Sequence, residues 1–250
     1  MSEEARQFDY IVVGAGSAGA IVAARLSEDG RYRVLLLEAG AKSNFWSSIP
    51  VGFAKLIENP AANWLYSAEP EASTGGRRMP VPRGKLLGGS SAMNGMVYVR
   101  GQAQDYDGWA QMGCTGWSWS DVLPLFQRSE NWEGEDDTGL RGKSGPLTVQ
   151  NSRLTRDVVD KWVHAAVNTG YKRNPDYNGA DQEGVGYFQL TMKGGRRCSS
   201  AKAYLSTARS RPNLEIITDA QTEKVIINDG RAIGVLIRRH GQMETIKARA

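Results

Sequence analysis

Apolar residues first mass at Asp9–Val13 (DYIVV), a short β-branched run without polar alternation, which predicts a strand buried in a parallel sheet. A glycine-rich turn follows at once. Ala20–Leu26 (AIVAARL) then carries small and apolar residues at helical spacing, and Tyr32–Leu37 (YRVLLL) predicts a second strand that closes on Glu38. Between residues 41 and 145 periodicity is weak, and Gly, Pro, Ser and Trp recur. Long irregular segments of this kind in compact proteins commonly carry function. Within it, Trp119–Ser129 predicts a short helix with Ser120 as N-cap and Pro124 tolerated only in the first turns. A longer helix is predicted over Arg156–Thr169, where Val158, Trp162 and Ala166 form one apolar stripe, Val159 and Val163 flank it, and Gly170 stops it. Ser199–Ser210 predicts another, ended by Arg211-Pro212. Strands then recur at Leu214–Thr218, Lys224–Asn228, Ala232–Arg239 and Met243–Ala248, with Asp229-Gly230 and His240-Gly241 as hairpin turns.

Composition narrows the class. The 250 residues suffice for one large domain or two small ones, and 40% hydrophobic with 23% charged residues excludes both disorder and a membrane-embedded chain. No apolar run approaches the ~20 residues of a membrane span. The balance of 31 basic and 27 acidic side chains, net +4, is spread along the chain without a basic stripe, which argues against nucleic acid. Two cysteines, Cys114 and Cys198, and two histidines, His164 and His240, leave no multi-histidine metal site. With the polar, acidic start MSEEARQ, they lead us to expect a reduced, cytoplasmic protein without a secretory leader. Gly, at 29 residues, is over-represented and points to many tight backbone turns.

Gly14, Gly16 and Gly19 form G-x-G-x-x-G between the first predicted strand and helix, with Glu38 at the end of the second strand. In that context glycines permit the tight turn, the close approach of backbone to a pyrophosphate, and close helix–strand packing, while the helix N-terminus faces the phosphates. Glu38 stands where a carboxylate accepts ribose hydroxyls and repels a 2′-phosphate. The motif alone does not separate NAD from FAD, so a nicotinamide-dependent dehydrogenase is one alternative. Two decoys fail. Gly142-Lys143-Ser144 lacks the leading glycine of a P-loop, Asp137 standing there, and Ser17 lacks the glycine two before it that a nucleophile elbow needs, Ala15 standing there.

A second cluster, Pro82–Gly101 (PRGKLLGGSSAMNGMVYVRG), joins a turn of small residues with two hydroxyls to the Asn94 amide and the charges of Arg83 and Lys85. Read on residue types alone, it suits close passage under a flat ligand, or else a Gly/Ser loop capping a helix near Ser91. The cluster resembles the first signature of the GMC (glucose–methanol–choline) oxidoreductases at Gly84, Lys85, Leu87, Gly88, Gly89, Ser90, Ser91, Met93, Asn94, Tyr98, Gly101 and Asp107. The similarity extends through NWLYSAEP, GWSWSDVLPLFQRSE and GYFQLTMKGGRRCSSAKAYL to the strands at 213–248, and is strongest toward bacterial alcohol and choline dehydrogenases.

That resemblance implies an α/β fold: a three-layer Rossmann-like FAD-binding domain over 8–150 and 201–250, with part of an inserted α+β substrate domain over 151–200. It implies that Gly14, Gly16, Gly19 and Glu38 hold the ADP half of FAD, that Arg83, Gly84, Gly88, Ser91, Asn94, Gly95, Met96 and Val97 line the pyrophosphate and isoalloxazine, and that Ser17, Ala39 and Trp64 also contact the cofactor. Thr222, where the family usually has Val, would contact the adenine through backbone. Some members link the flavin covalently to a histidine whose position here is Met93, so non-covalent FAD is expected. The implied activity is oxidation of a small alcohol by hydride transfer to flavin N5, with oxygen or a quinone as acceptor and peripheral contact at the inner membrane face. The family's catalytic histidine belongs to a later part of the chain. His164 and His240 are read as solvated and turn residues, so no catalytic residue is named. We expect these 250 residues to be an N-terminal portion that does not turn over alcohols alone. A truncated flavin- or partner-binding module is the further alternative.

Overall fold

The computed structural model describes residues 7–249; the acidic leader at 1–6 and Ala250 lie outside the described residues. Two compact units form, one from the chain up to Gly95 and from Arg196 onward, the other from Met96–Gly195.

The first unit is built on a parallel sheet in the order Leu214–Ile217, Val34–Leu37, Tyr10–Val13. Val34–Leu37 is central, which is why it reads as four consecutive apolar residues, all buried. Its alternate side chains serve different layers. Val34 and Leu36 pack under the helix Gly19–Leu26 and the turns around Tyr204 and Leu205, where Ala20, Ala23 and Ala24 let the helix approach closely. Leu35 and Leu37 face Phe8, Val235, Ile237 and Ile246 on a second, four-stranded sheet. That sheet orders Gln7–Phe8, Gln242–Ala248, Arg231–Arg239 and Ala220–Asn228. Helices, parallel sheet and second sheet make three layers of an α/β fold.

Both expected hairpin turns form, with Asp229-Gly230 at φ 48° and 76° and His240-Gly241 at φ 49° and 78°, the left-handed pair a two-residue hairpin loop needs. Other expectations need correction. Tyr10–Val13 has a strand on one side only among the described residues, and Val13 is 51% exposed, so this strand is an edge rather than fully buried. The strand expected at Lys224 begins at Ala220, because ladder bonds to 235–239 rather than side-chain burial hold the polar QTEK stretch. Ser199–Ser210 forms wide turns over Ala201–Leu205 that pass into α-helix at Ser206–Ala208.

The second unit carries a mixed sheet, Glu130–Trp132 and Leu147–Asn151 parallel, Gln189–Leu190 antiparallel, with three helices. The helix Trp119–Ser129 forms as expected, but Ser118 caps it, not Ser120. Asp121 decides this: Ser118 Oγ accepts from Asp121 N, while the Asp121 carboxylate takes Ser118 N, a reciprocal capping box. In the helix Asp157–Asn168 the expected stripe points outward, with Val158 69% and Trp162 64% exposed. Val163 is its buried residue, so the period was right and the phase was not.

Candidate functional site

The two leading strands end side by side. Val13 lies opposite Leu37, and Gly14 N donates to Leu37 O at 2.8 Å. The chain must then turn straight into the helix at Gly19. Gly14 makes that turn at φ 88°, a left-handed conformation. Gly19 meets a different demand: a Cβ there would stand 1.8 Å from Gly14 O. The loop at 84–91 closes over the turn. Gly88 N donates to Ala15 O at 2.8 Å, and a Cβ on Gly89 would come within 2.6 Å of Gly16 Cα.

Side chains lock this arrangement. Ser90 Oγ accepts from Gly84 N at 3.1 Å, and Ser91 Oγ donates to Gly88 O at 2.6 Å and accepts from Ser200 N at 3.0 Å. Ser200 Oγ reaches Gly16 O at 3.3 Å. The Asn94 amide oxygen accepts from Arg197 Nη1 at 2.8 Å. The buried Asn63 amide ties two segments together, donating to Ile57 O at 2.5 Å and accepting from Arg83 N at 2.9 Å.

A cavity of about 250 Å³ opens at the carboxyl ends of these strands, where ligands of open α/β sheets bind. Gly14, Gly16, Glu38, Ala39, Trp64, Gly84 and Thr222 all line it, joined by Val13, Leu37, Gly89, Ala220 and Gln221. Glu38 is buried; its Oε2 accepts from Ala15 N and its Oε1 from Gly40 N, both at 2.9 Å. Burial pushes the Glu38 carboxyl above the usual carboxylate value, against the lowering effect of those backbone donors and of the Lys85 charge. Lys85 Nζ lies 4.7 Å from the Trp64 ring centroid, and Trp64 stacks parallel to Tyr66. Thr222 Oγ1 is buried without a hydrogen-bond partner. A polar atom left unsatisfied beside a cavity, and a wall of glycines that a Cβ would obstruct, fit a nucleotide pressed against backbone.

The profile of the GMC oxidoreductases matches residues 8–250. The chain belongs to this family. It is 44% identical over 244 residues to the oxygen-dependent choline dehydrogenase of Rhizobium johnstonii, covering 97% of this chain and 44% of that one. It is 45% identical over 243 residues to the protein of the same name from Sinorhizobium fredii, with the same coverage. Among solved structures, pyridoxine 4-oxidase from Mesorbium loti superposes with a TM-score of 0.90 at 32% identity, over 96% of this chain and 48% of that one. An FAD-dependent oxidoreductase from Chaetomium thermophilum gives 0.87 at 27% identity, over 97% and 44%. The chain thus spans rather less than half the length of these relatives.

The other residues expected to hold FAD, Gly19 among them, do not line the cavity. Ser17 is exposed on the glycine turn, and the exposed Arg83 donates from Nη1 to Pro82 O at 2.8 Å. Gly88, Ser91, Asn94 and Gly95 follow on the closing loop, where Gly89–Ala92 forms a 3₁₀ turn rather than the helix start considered near Ser91. Met96 and Val97 open the second unit. Met96 is buried at φ 64° and its carbonyl accepts from Thr191 N at 2.9 Å; Val97 bridges Leu190. Met93 is buried in a cluster with Leu56 and Ala62. Neither His164 nor His240 lines the cavity. Sequence reasoning missed Asn63 and Arg197, whose work is to hold loops together. Both lie in stretches that carry the family likeness, but residue type alone assigns them no task. No helix among the described residues is long and apolar enough to cross a membrane.

Proposed function

We propose that the whole protein oxidises a small alcohol by hydride transfer from carbon to N5 of a non-covalently bound FAD, which supplies the two-electron acceptor. The observation that carries this reading is the convergence of Gly14, Gly16, Glu38, Ala39, Trp64, Gly84 and Thr222 on one cavity at the strand ends. Gly14 and Gly16 leave backbone bare for the pyrophosphate, and Glu38 accepts the adenosine ribose hydroxyls. Thr222 Oγ1 and backbone beside it serve the adenine edge. Gly19 belongs with Gly14 and Gly16 on the ADP half and Ser17 lies on the same turn, while Arg83, Gly88, Ser91, Asn94 and Gly95 continue the cradle toward the isoalloxazine. The roles of Met96 and Val97 rest on the family likeness alone. Met93 offers a thioether where a covalent link would need an imidazole. The relatives named for oxygen-dependent choline oxidation support a primary alcohol as substrate and oxygen as acceptor. We assign FAD binding to residues 8–150 and 201–250, a substrate role to 151–200, and a cytoplasmic location to the protein.

The test is anaerobic mixing of the whole protein with choline and other primary alcohols. Bleaching of the oxidised flavin band by one of them, and release of all flavin into the supernatant on acid precipitation, are expected. A protein that carries no flavin, or flavin that stays with the pellet, overturns the corresponding part.

Glu38→Gln should weaken FAD about tenfold or more, since a charged hydrogen-bond acceptor is lost and an amide NH₂ is set against a backbone N–H. The pH dependence has a definite sign. The folded chain holds Glu38 protonated to higher pH than the ordinary 4.5, so burial of this group favours folding below that value and less as pH rises through the folded pKa. Ribose binding needs the carboxylate, so FAD affinity should fall as pH drops through that raised pKa. Flavin fluorescence titrations across acid pH measure it, and the Gln variant should lose that pH dependence.

A further inference from the structure

A second cavity in the first unit shares no lining residue with the one at the strand ends. About 630 Å³ in volume, it opens between the segment around Lys42–Ser48, the residues from Arg196 to Arg209, and the edge strand Leu214–Ile217. That volume falls in the range of small-molecule sites. Its charge has a single sign. Lys42, Arg196, Arg197, Lys202 and Arg209 line it, and no Asp or Glu does. None of these five forms an ion pair among the described residues. Like charges gathered round one concavity repel each other and raise the local concentration of anions.

Arg197 makes this more than a basic surface. It is 4% exposed, and its identified acceptors are all neutral: Nε donates to Ser47 O at 3.0 Å, and Nη1 to Asn94 Oδ1 and Ser91 O. Nη2 is buried without a partner. Burial, with no carboxylate opposing it, pulls the guanidinium down to about 10. Buried charges are normally paired, because an isolated one costs too much to desolvate. Ser43, Ser199 and Thr218 add hydroxyls around the same space.

We infer that this cavity binds a small molecule bearing a phosphate or pyrophosphate group, at a site separate from the dinucleotide cradle. Five cations exceed what a single carboxylate neutralises, whereas a multiply charged phosphoryl group presents several oxygens to several donors at once. The inference does not depend on the alcohol-oxidising reading. It is tested by titration calorimetry of the whole protein as isolated, with inorganic pyrophosphate and with citrate at fixed ionic strength. Saturable binding of one pyrophosphate per chain, tighter than citrate, is expected. Lys202→Gln with Arg209→Gln, both exposed and outside the cradle, should weaken it about tenfold or more. Lys42→Gln alone should weaken it less, and the flavin content of all variants should stay unchanged. Absence of saturable heat, tighter citrate binding, or pyrophosphate affinity that survives the double substitution would overturn the inference.

Discussion

Gly19→Ala should leave the protein without bound dinucleotide and destabilise it by roughly 3 kcal/mol, the upper range for forcing atoms into packed structure. The added Cβ would stand 1.8 Å from Gly14 O and 3.3 Å from Val12 Cγ1, both on the strand-and-turn side of the helix. Backbone cannot swing away as a flexible side chain can, so the helix Gly19–Leu26 must lift from the turn that aims its N-terminus. Two neighbours supply controls. Gly14→Ala meets nothing within 4 Å and suffers only the strain of φ 88°, about 1–2 kcal/mol. Gly16→Ala is met only by Gly89 Cα at 3.9 Å, so it should fold normally while its methyl enters the cavity that Gly16 lines. Urea unfolding and flavin content separate the three: Gly19→Ala loses both, Gly14→Ala loses mainly stability, Gly16→Ala loses mainly flavin. A Gly19→Ala protein with normal stability and a full complement of flavin would refute the packing argument.

Those three glycines also show what the sequence makes legible. Their spacing between an apolar run and a helical one announces turn, cavity wall and packing contact, because each task is local and excludes other residues. Val34–Leu37 is equally legible: a central strand is covered on both faces, so its side chains are uniformly apolar. Tyr10–Val13 has the same composition yet lies at an edge, because composition does not reveal how many neighbours a strand has. The phase error in Asp157–Asn168 has a related cause. Val158, Trp162 and Val163 are all apolar, so residue type does not single out Val163, the one that the helix buries. At the site, Glu38 was legible as an acid but not as the acceptor of Ala15 N and Gly40 N, a contact that closes 23 residues of chain. Arg197 was hidden further still, since its link to Asn94 spans 103 residues. The one-signed cavity it lines needs charges from two segments far apart in sequence, Lys42 in one and Arg196 to Arg209 in the other.

The second unit offers the other large effect. Glu130→Ala should cost about 3–5 kcal/mol, the range for removing one partner of a buried ion pair. Glu130 is 0% exposed and lies between two buried arginines. Arg141 grips it in a fork, Nη2 to Oε1 at 2.5 Å and Nε to Oε2 at 3.2 Å, while Arg100 Nη2 and Gly142 N also reach Oε2. Burial by itself would lower Arg141, but the hydrogen bonds and charge of Glu130, helped by Asp176, outweigh it and hold the guanidinium above its ordinary value. Take Glu130 away and Arg100 loses its ion-pair partner, while Arg141 keeps only the half-buried Asp176 at 2.6 Å. Glu130→Gln preserves the shape but not the charge, so it should fall between the variant and the parent. Arg141 also stacks over Trp132 at 4.1 Å, and urea unfolding followed by circular dichroism measures the loss. A Glu130→Ala loss below about 1 kcal/mol would mean that the two arginines find water or new partners on losing it, and that the triad fixes geometry without carrying stability.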